Sequence, residues 1–238
     1  MSKIKFVVAR YENDSYEGFL SETLKNYDHE FVWNDEANSI FEKYNIGVSR
    51  LVEKGLDSQD IVCFCHADVK ILDEDFEEKV LYAFEKVPML GVAGVIGATE
   101  LHETCGWWLS DQSLHRGHLM QWVDEKSENK YHMNRKEGNF TDCCVVDGLC
   151  MFVMGHIAQN LKFDQQTFPN SYDFYDYDYC LSVLGHGYKV AVLDILTEHK
   201  SAGNGVLKDS WRVNKEIFLN KWKSVGVKFP VKVQRKNG

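Results

Sequence analysis

The 238 residues are 44% apolar and 26% charged, a composition that excludes a disordered chain and suffices for one α/β domain, or two small ones, with a sizeable core. No apolar run approaches the roughly 20 residues of a membrane span and the polar N-terminus has no signal-peptide pattern, so a cytoplasmic protein is expected. Seven scattered cysteines do not suggest a disulfide framework; the net charge of −9 divides into +7 over residues 208–238 and −16 elsewhere, and an acidic body argues against a general nucleic-acid binder.

Lys3–Ala9 reads as a buried strand, followed by the polar turn Arg10–Asp14. Ser15 offers a cap for a helix through about Lys25, with Phe19, Leu20 and Leu24 at helical spacing. His29–Trp33 is a short strand. Asn38–Lys54 is a helix in which Ile40, Phe41, Tyr44, Val48 and Leu51 keep a 3.6-residue period and Gly55 follows the end. Asp60–Cys65 is a strand, Asp73–Lys86 a helix with an acidic first turn, and Leu90–Gly97 a glycine-thinned strand. This alternation predicts βαβ units, a parallel sheet and right-handed crossovers. No G-x-G-x-x-G follows the first strand and no Walker lysine pattern occurs.

Residues 98–142 break the rhythm: they read as a long irregular insertion rich in Trp, His, Gly and Asp, with one hairpin around His118–Val123. Val145–Met154 returns to strand character, interrupted by Asp147-Gly148. Ser171–Leu184 is a helix dense in acid and tyrosine, Tyr188–Leu193 is a strand, and Thr197-Glu198-His199 follows it. The basic tail, with Trp211, Phe218 and Trp222, reads as a last helix packed by its aromatics. Its charge also suits a peripheral contact with an anionic membrane surface, which would put the protein on the cytoplasmic face.

Chemistry concentrates where apolar strands end. The run from Ile61 closes on His66 and Asp68, whose i, i+2 spacing points both to one side, and ligands collect at the carboxyl ends of strands in open α/β sheets. A hard oxygen beside an imidazole suits Mn2+ or Mg2+ with a phosphate completing the shell. His199, at another strand end, could join Asp68 around the same ion. Asp173, Asp176 and Asp178 crowd one helix start, more than the helix dipole needs, and Asp176 is a candidate general base. Cys63-x-Cys65 and Cys143-Cys144 do not have C-x-x-C zinc spacing and read as core.

The order of these parts resembles a GT-A glycosyltransferase of the broad family-two type, in a subgroup whose metal motif reads H-x-D. Four stretches carry the likeness: Tyr44-Asn45-Ile46-Gly47 with Arg50; Phe64-Cys65-His66-Ala67-Asp68-Val69; Val146-Asp147-Gly148; and Phe174–Leu181 followed by Gly187–Val190 and His199-Lys200-Ser201. The resemblance implies a GT-A fold with a mostly parallel central sheet flanked by helices and a loop-rich acceptor half. It also implies a single domain: residues 1–97 as nucleotide-binding half, 98–205 as acceptor and catalytic half, and 206–238 as basic tail.

Its implied roles are specific. Ala9, Arg10, Tyr11, Asn13, Asn45, Arg50, His66, Ala67 and Asp68 would hold a nucleotide-diphosphate sugar. Asp68 and His199 would bind Mn2+ or Mg2+, and Asp176 would deprotonate the acceptor. Asp147, Gly148 and Asp178 would face a glycan or glycolipid acceptor, and, apart from the resemblance, the flat faces of Trp107 and Trp108 suit its sugar rings. The implied activity is metal-dependent, inverting sugar transfer. A nucleotidyltransferase and a non-catalytic nucleotide-sugar or glycan-binding module are the competing readings. The sequence departs from the family pattern at Tyr175, where the first acid of an acidic pair is usual, and at His66, where many relatives carry aspartate.

Overall fold

The computed structural model describes residues 3–123, 129–135, 137–169, 171–200 and 208–233; Ser201, Arg235 and Lys236 lie outside them. The strands in chain order are β1 (Ile4–Ala9), β2 (His29–Val32), β3 (Ile61–His66), β4 (Val69–Ile71), β5 (Leu90–Gly94), β6 (Ile96–Ala98), β7 (Glu100–Leu101), β8 (His115–Trp122), β9 (Lys130–Arg135), β10 (Phe140–Cys143), β11 (Val145–Val146), β12 (Cys150–Met154), β13 (Lys189–Leu193), β14 (Thr197–His199) and β15 (Val231–Lys232). The helices are α1 (Leu20–Leu24), α2 (Ile40–Glu53), α3 (Phe76–Lys86), α4 (Gly155–Asn160), α5 (Tyr175–Gly185) and α6 (Asp209–Ser224). None of these is long and apolar enough to cross a membrane.

The main sheet has the order β10-β13-β5-β12-β3-β1-β2. β1 pairs in parallel with β2 and β3, and β13 with β5, while β12 and β10 pair antiparallel with their neighbours. Five strands therefore run one way and two against them, as the mostly parallel expectation has it. A second sheet, β11-β6-β8-β14-β4 with β9 on β8, stands beside it. Among the described strands the chain passes between the two sheets seven times, from β3 to β4, β4 to β5, β5 to β6, β9 to β10, β10 to β11, β11 to β12 and β13 to β14. The expected strands 90–97 and 145–154 are each broken at such a crossing. At Gly97, β11 comes so close that a Cβ would lie 2.1 Å from the carbonyl oxygen of Val145.

An aromatic layer fills one face of the main sheet. Tyr44 of α2, Phe64 of β3, Phe163 after α4 and Tyr179 of α5 form a ring cluster with centroids 4.3–6.3 Å apart. On the other face Phe6 of β1 meets Tyr27, which meets Phe76 of α3. α2 begins with Ser39, whose hydroxyl accepts the amide of Glu42 at 3.1 Å. All seven cysteines are buried and free, in keeping with a core role.

Three expectations are corrected. The helix expected over 15–25 is only the five residues of α1, because Asp14 draws the chain into a turn by accepting the amides of Tyr11 and Tyr16. α5 begins at Tyr175 rather than Ser171. Within 98–142 the expected hairpin around His118–Val123 is present as β8 paired antiparallel with β9 from Gly117↔Arg135 to Trp122↔Lys130, but the described residues of the stretch are more regular than an irregular insertion, since β10 joins the main sheet.

The last helix is anchored through its aromatics and one acid. Trp211, Phe218 and Trp222 are buried, and Phe218 stacks on Phe174 at 5.3 Å. Asp178 of α5, 2% exposed, accepts from Trp222 Nε1 at 3.0 Å and Lys221 Nζ at 2.8 Å. Removing Asp178 leaves the buried Trp222 N–H without its acceptor and Lys221 with Asp164 as its remaining partner. Asp178→Ala is therefore expected to lower stability by about 2 kcal/mol, read from urea unfolding, with Asp178→Asn losing less because its amide oxygen can still accept from Trp222.

Candidate active site

The β3-to-β4 crossing puts Asp68 in the two-residue turn between the sheets. β14 then pairs antiparallel with β4, setting His199 opposite Val69, and the Lys200 amide donates to the Asp68 carbonyl at 3.0 Å. This register brings His199 Nε2 to 3.5 Å from Asp68 Oδ1, with His66 Nδ1 4.0 Å from the same oxygen. One ligand atom from each of the three side chains lies within 4.8 Å of the other two.

Residue chemistry here fits a divalent cation. His199 Nδ1 is 3.0 Å from Gln121 Oε1, so the ring donates there and Nε2 is left as the coordinating nitrogen. That Nε2 is buried without a hydrogen-bond partner. Burial raises the Asp68 carboxyl, but His199 and His66 outweigh it and bring the group down to about 2. Burial also lowers His199, yet Asp68 outweighs it and raises the imidazole overall. His66 is lowered, by burial first and by its neighbour His199, against the pull of Asp68. An anionic oxygen faces an otherwise unsatisfied nitrogen, and either a proton or a metal ion satisfies that pair.

From this cluster a cavity of about 390 Å³ extends along the seam between the sheets, lined by His66, His199, Asp147, Asp176, Trp107 and Trp108 among others. Asp176 stands in the first turn of α5. Its two oxygens accept the amides of Gly148 and Tyr177, each at 2.9 Å. Burial, then the nearby Asp147, pushes its carboxyl up to about 8 against those hydrogen bonds. Asp147 sits at the β11-to-β12 crossing, where Trp107 Nε1 donates to it at 3.0 Å and the Leu149 amide at 3.1 Å. Gly148 is required there, since a Cβ would lie 2.1 Å from the Tyr175 hydroxyl. That hydroxyl in turn is 2.6 Å from His66 Nε2, which orients the imidazole.

The residue before α5 is also constrained. Phe174 has φ +67°, the left-handed region, a conformation that costs a non-glycine residue of order 1–3 kcal/mol. Trp211 and Phe218 of α6 hold its ring at 5.4 and 5.3 Å. The tail helix thus braces the turn that presents Asp176.

The profile of the Glycosyltransferase like family matches residues 9–222. The chain belongs to that family. Among solved structures this glycosyltransferase is similar to GalNAc-T7 with UDP, GalNAc and Mn2+, at 8% identity and a TM-score of 0.53, over 93% of this chain and 49% of that one. It aligns as well with A197 from STIV at 14% identity and a TM-score of 0.49, over 82% of this chain and 84% of that one. No curated protein matches. The fold is GT-A.

The glycosyltransferase distributes the residues singled out in its sequence unequally. His66, Asp68, His199, Asp147, Gly148, Asp176, Trp107 and Trp108 meet along one cleft or its walls. Ala9 ends β1 directly beside His66, and Ala67 is buried in the turn before Asp68. Arg10, Tyr11 and Asn13 form the loop after β1; the Arg10 guanidinium is enclosed by the rings of Tyr16, Phe31 and Trp33 at 4.0–4.9 Å and bonded to Asp14.

Three residues go elsewhere. Asn45 ties α2 to the segment 163–165, bonding the Phe163 backbone and Gln165. Arg50 bonds Glu36 and the Phe31 carbonyl. Asp178 faces α6 rather than an acceptor. Conversely, Gln121, Tyr131, Tyr172, Asp173 and Trp211 line the cleft without having been assigned to it. Lys43, 1% exposed, holds the Arg10 carbonyl and Asn34 beneath the β1 loop.

Asp176 sets a pH dependence of stability. Unfolded, it releases its proton near 3.8; folded, it keeps it to about 8. Its contribution is therefore complete below about pH 4 and is lost as pH rises through about 8. Urea unfolding between about pH 4 and 9 should show this decline in the native protein and a flatter profile in Asp176→Asn.

Proposed function

We propose that this glycosyltransferase moves a sugar from a nucleoside-diphosphate donor to a hydroxyl of a glycan, glycoconjugate or lipid-linked acceptor, with inversion and with a divalent cation held by Asp68, His199 and His66. One observation carries the reading: a single cleft has a buried two-histidine, one-carboxylate cluster with an unsatisfied nitrogen and also an oriented carboxylate of raised proton affinity. GalNAc-T7, similar in fold, was solved with UDP and Mn2+, which supports a nucleotide-sugar donor and favours Mn2+ as the ion. Two imidazoles in the ligand set favour Mn2+ over Mg2+ as well.

The loop of Arg10, Tyr11 and Asn13 receives the nucleoside, next to the strand end that carries His66. When bound, the cation neutralises the charge that develops on the departing diphosphate. Asp176, fixed by the amides of Gly148 and Tyr177, takes the proton of the acceptor hydroxyl as its oxygen bonds the anomeric carbon. The bond from that carbon to the diphosphate oxygen breaks, and its electron pair leaves with the nucleoside diphosphate. Attack on the face opposite the leaving group inverts the configuration. Asp147, held by Trp107 and Leu149, orients the same hydroxyl.

Because Asp176 retains a proton to about 8, its base form grows with pH. The expected kcat/KM rises about tenfold per pH unit on the acid side and levels near or above pH 8. Asp176→Asn should lower kcat by about 10²–10⁴-fold while leaving donor affinity, measured by calorimetry, unchanged. Full turnover by the variant would remove Asp176 from this role. Donor binding without turnover by the native protein on any acceptor would leave a binding module.

A further inference from the structure

We infer that the acceptor part of the cleft is built for an uncharged glycan and rejects anionic ones, whether the anion is a uronate carboxylate or a phosphate near the reacting sugar. The inference rests on the transferase reading and narrows its substrate class.

Aromatic side chains from separate segments converge on the cavity. Trp107 and Trp108 come from the turn at 107–109, Tyr131 from β9, Tyr172 from the segment before α5, and Trp211 from α6. Trp107 and Trp108 stand at 87° with centroids 5.8 Å apart, presenting two perpendicular faces. Trp108, Tyr131 and Tyr172 remain 39%, 52% and 50% exposed. Large aromatic rings left open in one concave site are surface that a ligand covers, and a flat ring face with polar groups at its edge suits the apolar face and hydroxyl rim of a sugar.

Charge then selects among sugars. Apart from His66 and His199 at the metal-cluster end, every ionisable side chain other than tyrosine among the described lining residues is a carboxylic acid: Asp147, Asp173 and Asp176. Lys and Arg are absent from that described lining; Lys208, just before α6, and Lys215 on it lie outside, although the charge of Lys208 acts on Asp173. Asp173 accepts from Asn214 Nδ2 at 3.2 Å between Tyr172 and Phe174. Acceptor hydroxyls can donate to these carboxylates. Away from the metal-cluster end, a phosphate or carboxylate entering the same space would shed its water, meet no lysine or arginine among the described lining residues and approach the carboxylates of Asp147 and Asp173, which penalises the wrong ligand rather than merely failing to reward it.

The test is quenching of intrinsic tryptophan fluorescence in the full chain with Mn2+ and UDP present. Cellotetraose, maltotetraose and chitotetraose are titrated against tetragalacturonate and phosphorylated maltotetraose, at low salt and at high salt. Hydrolysis of a donor panel is followed in parallel. The neutral set is expected to bind at least tenfold more tightly at low salt, with the gap narrowing as salt screens the acids and in Asp173→Asn. Trp108→Ala should weaken neutral binding at least fivefold with the unfolding midpoint unchanged. Equal or tighter binding of the anionic set at low salt overturns the inference, as does failure of every neutral probe to bind. Neutral binding with no donor hydrolysis would uphold this selectivity while removing the transferase reading, so the two failures are distinguishable.

Discussion

The contact between Asp68 and His199 is the constraint on which the rest of the site depends. Asp68 lies where the chain leaves the main sheet for the second one, His199 ends β14 of that second sheet, and the β4–β14 register brings them together. Slipping that pairing by one residue would turn His199 to the opposite face and leave Asp68 buried without its partner. The same seam carries Asp147 at the β11-to-β12 crossing, and the Asp147 amide bonds the Ile96 carbonyl where β6 begins. Polar chemistry collects at these crossings because backbone groups and side chains there are not consumed by either sheet's interior.

A second dependence runs through α5 and α6. Asp176 is presented by a helix whose preceding residue is held in a left-handed conformation, and that conformation persists because Phe174 is wedged between Trp211 and Phe218. Asp178, two residues beyond Asp176, locks the helices together through Lys221 and Trp222. The acidic crowd at the start of α5 therefore divides its labour: Asp173 meets the cleft rim, Asp176 its interior, and Asp178 the anchor of the last helix.

Much of this was legible in the residues. Apolar runs and a 3.6-residue period located β1, β3, α2, α3 and β13, and the His66/Asp68 pair at a strand end pointed to the cluster. The rest was hidden for physical reasons. Periodicity cannot tell that one apolar run serves two sheets, so 90–97 and 145–154 looked continuous. Short-range turn bonding by Asp14 outcompeted the helical spacing of Phe19, Leu20 and Leu24. Asn45, Arg50 and Asp178 have side chains suited to ligands, and only their packing reveals them as scaffold. Gln121 and Tyr175, which orient the two imidazoles, act through cross-strand and helix-to-strand contacts that sequence spacing does not display.

The most direct test of the account is a crystal grown with Mn2+ and UDP, with data collected to locate manganese by its anomalous scattering. The account predicts one strong peak bonded to Asp68 and His199 Nε2, with the diphosphate in its remaining positions, and no such peak in His199→Ala. A peak elsewhere, for instance among the buried thiols of Cys63, Cys65 and Cys150, or UDP bound in the cleft with no metal beside Asp68, would contradict it.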